Sequence, residues 1–212
     1  MCGRFTLTNP NAVAKRYGIK IMPELKPRYN ISPGQIVPVI TNADQKHFSL
    51  AKWGLIPHWA KDEKIGYKMI NARAETLLSK PAYRDPIRHK RCLIPADGFY
   101  EWQKQGKHKI PYRLVLKNNG IFSFAGIYDL WQDNLTFSII TLPANKLVSP
   151  IHDRMPAILT PDQEKVWLSD LPAEALTETI LKPLPANLMS AYKISTLVNS
   201  PEHDNPEIIK QV

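Results

Sequence analysis

Apolar and polar residues alternate through the middle of the chain with the two-residue period of a β-strand. The runs KHFSLAKWGLI (46–56), KRCLIPADGFYEW (90–102), KIPYRLVLK (109–117), GIFSFAGIYDLW (120–131) and NLTFSIITL (134–142) each read as strands. Between them stand KQGK, KNNG and QDN, the polar material of turns. The three runs between 112 and 142, joined at 117–120 and 132–134, predict an antiparallel meander. Helical patterning lies outside this block. Asn9-Pro10 opens a short helix to Tyr17, with proline at the first position, where its missing N–H costs nothing. Thr160-Pro161-Asp162-Gln163 has the form of a capping box and starts a helix to Ser169. Residues 173–181 make another, ended by Pro183, and 72–78 a further short one. The polar stretch 199–212, with two prolines, is expected to wrap the surface. Together these elements predict an α+β fold: one β-rich domain over 1–212, its strands numerous enough to close into a barrel or sandwich, with barrel-like antiparallel sheets and peripheral helices.

Composition refines this picture. With 212 residues, 43% hydrophobic and 22% charged, the chain can bury one sizeable core. Nineteen prolines against nine glycines imply stiff connections and no flexible linker. A net charge of +9 favours a polyanionic partner such as nucleic acid. Two cysteines, Cys2 and Cys92, make no disulfide framework, and no Cys/His spacing suits zinc, so neither metal nor cofactor is expected. The start MCGRFTLTNP has no apolar targeting core and no run approaches a membrane span, which predicts an intracellular, cytoplasmic protein without membrane contact. There Cys2 stays a free thiol.

Four segments carry candidate chemistry. Removal of Met1 would leave Cys2 with a thiol and an α-amine two carbons apart. Such an aminothiol condenses with an aldehyde to an imine, which the thiolate closes into a five-membered thiazolidine. Ordinary pKa values of about 7.7–8.0 for the amine and about 8.5 for the thiol give both groups a reactive fraction near neutrality, and a neighbouring cation such as Arg4 would add thiolate. The plainer alternative is a packed, idle cysteine and a solvated arginine. Asn71 offers an acceptor and two donors to orient a reacting group, and Arg73 a bidentate fork for phosphate; a helix N-cap beside a surface Arg/Glu pair explains them equally. Glu101 stands in the aromatic segment GFYEW, where partial burial would raise its pKa and suit it to proton transfer, unless it sits on an edge strand facing water. His152-Asp153-Arg154 places a proton shuttle beside an acid and an anion-binding cation, and a structural histidine is the alternative. Trp53, Trp59, Trp102 and Tyr100 interleave with these segments and could stack on unpaired bases or serve as core.

Taken together, MCGRF, RYNISPGQ (28–35), WGLIPHW (53–59), NARAET (71–76), KPAYR (80–84), RCLIPADGFYEW (91–102), FAGIYD (124–129), HDRMPAIL (152–159) and VNSPEHDNPE (198–207) resemble the SOS-response-associated peptidase (SRAP) family. The resemblance spans nearly the whole chain and implies one SRAP domain. It also implies a DNA-damage function: trapping abasic sites in single-stranded DNA, or at junctions with duplex, as a thiazolidine crosslink to Cys2. By the same resemblance Cys2 is the attacking residue after autopeptidase loss of Met1, and Asn71 positions it. Glu101 is the general acid/base of sugar-ring opening and lyase-like imine chemistry, and His152 the proton carrier near the sugar oxygen. Arg4, Arg73, Arg154 and Arg84 match phosphate-binding positions, while Trp53, Trp59 and Trp102 lie where a kinked strand would be wedged or stacked. The expected state is a monomer, associated with the nucleoid when on DNA. The competing reading is a cysteine peptidase with Cys2 as nucleophile, His152 as base and Asn71 as orienting group.

Overall fold

The computed structural model describes residues 2–19 and 25–212. Met1, whose removal the sequence reading invokes, lies outside the described residues. Two sheets make the frame. The first has five strands in the order β13 (Met189–Lys193), β8 (His108–Leu116), β7 (Gly98–Gln105), β1 (Arg4–Leu7) and β2 (Arg28–Ile31), all antiparallel. In the second, β3 (Ile36–Thr41), β4 (Ser49–Trp53), β10 (Asn134–Pro143), β9 (Phe122–Trp131) and β6 (Arg91–Ala96) pair in a cycle that returns to β3, a closed barrel. Short strands β5 (Asn71–Arg73), β11 (Arg154–Pro156) and β12 (Ile158–Leu159) extend it. Closure removes the exposed edges that a five-strand sheet would otherwise leave.

Three expectations change here. The 112–142 meander does not form: β9 and β10 pair as a hairpin, but β8 belongs to the other sheet and pairs with β7 and β13. Alternation in a single strand cannot say which sheet it joins. The barrel is mixed rather than antiparallel throughout, because β4 and β5 both run parallel to β10. The helix expected at 72–78 is a strand at Asn71–Arg73 followed by a single 3-10 turn at Ala74–Thr76, since β10 captures the segment in register Ile139↔Asn71.

The break between β6 and β7 falls at Asp97, where the chain crosses from barrel to sheet. The Asp97 carboxylate accepts from Thr6 Oγ1, the Thr8 N–H, Thr8 Oγ1 (2.8 Å) and Arg113 Nη2 (3.3 Å). Gly98 makes this network possible: a Cβ there would stand 2.9 Å from both Arg113 Nε and Thr6 Oγ1.

Strand alternation divides the core in two. Phe5, Trp53, Ile94, Phe99, Phe124 and Phe137 fill the space between barrel and sheet. Leu93, Ala125, Ile127 and Ile140 point the other way, onto Ile87, Trp167 and Leu176 of α2 (Pro86–His89), α3 (Pro161–Trp167) and α4 (Ala173–Thr179). The helices expected after Asn9 and Thr160 form as α1 (Pro10–Tyr17) and α3, the latter with its complete capping box. The C-terminal stretch is anchored: Ile194, Val198 and Ile208 bury Tyr100 on the outer face of the five-stranded sheet. Asn30 Nδ2 donates to the carbonyls of Val198, Ser200 and His203, and Arg28 Nε reaches Asp204 at 2.6 Å. Among the described residues no helix is long and apolar enough to cross a membrane.

Candidate functional site

Pairing of β1 with β7, in register Arg4↔Tyr100, carries the start of the chain to Glu101. Parallel pairing of β5 with β10 brings Asn71 to the same place, where its Nδ2 donates to the Cys2 carbonyl at 2.8 Å. The Asn71 backbone oxygen in turn accepts from the Tyr83 hydroxyl at 3.3 Å. His152 arrives on the loop after β10, whose turn closes with its own N–H on the Val148 carbonyl at 2.9 Å. Three segments distant in sequence thus bring the side chains of Asn71, Glu101 and His152 to the start of the chain.

The electrostatics are set by burial. Glu101 is 2% exposed, and desolvation of its carboxylate pushes its pKa up to about 7. Near neutral pH it can therefore both give and accept a proton. Burial lowers the His152 pKa despite the nearby Asp153, so the ring is largely neutral at pH 7. Its Nδ1 accepts from the Arg154 N–H at 3.0 Å, which places the proton of the neutral ring on Nε2. Asp153 Oδ1, 2.8 Å from Nδ1, is the acceptor within reach once the ring is charged.

Cys2 differs from the expectation of an activated thiolate. It is fully buried, and desolvation together with the Glu101 charge drives its thiol pKa up. Arg4 does not stand as a cation against the sulfur. Its guanidinium donates to Asn30 Oδ1 and the Val198 carbonyl, both at 2.8 Å, and to the Asn199 carbonyl at 3.1 Å. The thiol is therefore held protonated and needs a base to react.

The other expected contact residues separate into groups. Trp53 is no stacking platform: it is 1% exposed, lies nearly parallel to Phe137 with centroids 6.4 Å apart, and donates from Nε1 to the Ile70 carbonyl. Trp59, at 54% exposed, keeps its face open. Trp102 walls a cleft of about 520 Å³ that it shares with Glu101, His152, Lys104, Lys109 and Asn199. Arg73 and Arg84 are exposed, whereas the Arg154 fork closes on Glu75 at 2.6 and 3.0 Å. Two residues escape the sequence reading: Asn30, which ties Arg4 to the C-terminal stretch, and Asn199, whose Oδ1 accepts from Trp102 Nε1 at 2.8 Å. Both lie in segments that carry the family resemblance, RYNISPGQ and VNSPEHDNPE, which is the one signal that could have found them.

The chain matches the family model described as SOS response associated peptidase (SRAP) over residues 1–201. It is 46% identical to the abasic site processing protein YoqW of Bacillus subtilis, with 99% of each chain covered. It is 34% identical to the abasic site processing protein HMCES of Gallus gallus, covering 99% of this chain and 77% of that one. A crystal structure of a protein from Bacteroides thetaiotaomicron superposes with a TM-score of 0.90 at 36% identity, over 100% of both chains.

Proposed function

This chain belongs to the SOS response associated peptidase family, and on that footing we propose that it processes abasic sites in DNA by trapping them on Cys2. The observation that carries the reading is the pairing of Cys2, held through its carbonyl by Asn71, with a buried carboxyl that titrates near neutrality. An acid/base of that kind is what an aminothiol trap requires, since its thiol is protonated at rest.

The chemistry runs in four steps. Water hydrolyses the Met1–Cys2 peptide bond, releasing methionine and leaving the Cys2 amine. Glu101 and His152 move the protons that open the abasic deoxyribose to its aldehyde, with the neutral Nε2–H of His152 serving the sugar oxygen. The amine then adds to the aldehyde carbon and loses water to give an imine. Finally Glu101 takes the Cys2 thiol proton, the thiolate sulfur adds to the imine carbon, and the imine nitrogen takes up a proton. The product is a thiazolidine crosslink with no change of oxidation state. Asn71 keeps the Cys2 backbone in place throughout. Exposed Arg73 and Arg84 and the open face of Trp59 suit a single strand or a single-strand/duplex junction, bound by one copy of the protein.

The test mixes the protein with single-stranded DNA containing one abasic site and follows adducts that survive denaturation. Wild type forms a thiazolidine, and its intact mass lacks Met1. Cys2→Ala and a variant with a non-removable N-terminal extension form none. Equal adduct from Cys2→Ala would refute the reading. Peptide cleavage by the extended protein, without adduct from wild type, would replace it with the peptidase.

A further inference from the structure

We propose that Lys104, Lys109 and Asn199 form a subsite at the mouth of the cleft that grips one backbone phosphate of the bound strand. The inference rests on the DNA-processing reading above and adds to it a contact that the fold builds in advance.

Three observations carry it. First, the β7–β8 hairpin turns in two residues, with Gly106 at φ +60°, the hand a tight hairpin requires. That turn makes Lys104 and Lys109 directly opposed partners. Their Cβ atoms then stand about 5 Å apart on one face of the ribbon, where like charges cost up to about 1 kcal/mol. Among the described residues no acidic side chain pairs with either lysine, so none of them offsets that cost. An anion placed between the two ammonium groups would.

Second, both lysines line the same cleft as Glu101 and His152. A strand whose sugar reaches Glu101 would pass its flanking phosphate across this mouth. Third, the cleft holds an oriented neutral donor. Trp102 Nε1 can only donate, and it does so to Asn199 Oδ1 at 2.8 Å. The amide is thereby turned with Nδ2 away from the indole, and Nδ2 makes no other hydrogen bond among the described residues. Two ammonium groups and an amide lining one cleft present the donors that a phosphodiester oxygen pair accepts.

The experiment measures binding without chemistry, using single-stranded oligonucleotides that carry a tetrahydrofuran abasic analogue and one neutral methylphosphonate at successive flanking positions. One position should weaken wild type by about three- to tenfold. At that position the Lys104→Gln/Lys109→Gln protein should show less than a twofold effect, because it has already lost the contact. The salt dependence of its binding to the unmodified strand should flatten by about 0.7, the share of the one phosphate no longer neutralised. Asn199→Asp keeps the acceptor for Trp102 but sets a carboxylate in the cleft that the lysines line, and should weaken binding as much as the double change. Thermal melts of the variants, all at exposed positions, establish that they are folded. Methylphosphonate effects that are the same in wild type and the lysine variant at every position would overturn the subsite, as would wild-type affinity in Asn199→Asp. Adduct formation by wild type alongside either result would leave the crosslinking reading intact. Absence of both binding and adduct would sink the two together.

Discussion

Replacing Glu101 by glutamine separates the cost of burying this carboxyl from its use. The side chain is 2% exposed, and burial raises its pKa from 4.5 to about 7. The folded protein therefore holds this proton more tightly than the unfolded chain does. The resulting stabilisation is complete below pH 4.5 and is lost as pH rises through about 7, where folding must bury a charge. Integrated between pH 5 and pH 8, the loss is about 2–3 kcal/mol. Glutamine is uncharged throughout this range, so Glu101→Gln escapes the loss. Whatever constant cost or gain the amide brings, the stability of the variant relative to wild type should rise by about 2–3 kcal/mol from pH 5 to pH 8. Urea denaturation of both proteins at the two pH values measures this directly, and titrations elsewhere cancel in the difference. The same substitution should slow adduct formation on abasic DNA, so the pH dependence of stability flattens while function is lost. A relative stability that changes by less than about 0.5 kcal/mol would refute the raised pKa and the acid/base role built on it.

The tryptophans should divide by burial. Trp53→Ala leaves a cavity in the core between barrel and sheet and should cost about 3–5 kcal/mol, whereas Trp59→Ala should stay within about 0.5 kcal/mol yet weaken binding of single-stranded DNA; thermal melts and oligonucleotide titrations distinguish them. Asp97→Ala strips Arg113, Thr6 and Thr8 of a shared buried acceptor and should cost about 3–5 kcal/mol in chemical denaturation.

Much of the fold was legible because its signals are local. Proline after Asn9 and the Thr160–Gln163 capping box specify helix starts through atoms a few residues apart, and α1 and α3 begin there. The β7–β8 and β9–β10 hairpins follow from alternation interrupted by tight turns. What alternation cannot encode is partnership. The run 90–102 reads as one strand, yet Asp97 divides it between barrel and sheet, because the acceptor that satisfies Thr6, Thr8 and Arg113 sits there. The tryptophans show the same limit, since Trp53 and Trp59 share one motif and end with 1% and 54% exposure.

The sequence by itself determined the β-rich α+β class, the family resemblance and the list of reactive residue types, all of which are properties of residues and their near neighbours. Tertiary structure alone decided their state. Packing the five-stranded sheet against the barrel removed Cys2 and Glu101 from water, which is why the thiol rests protonated and the carboxyl titrates near 7. The same packing turned Arg4 onto Asn30 and two carbonyls rather than onto the sulfur. The physical reason is desolvation. It depends on every group packed around an atom, and those groups come from strands far apart in the chain.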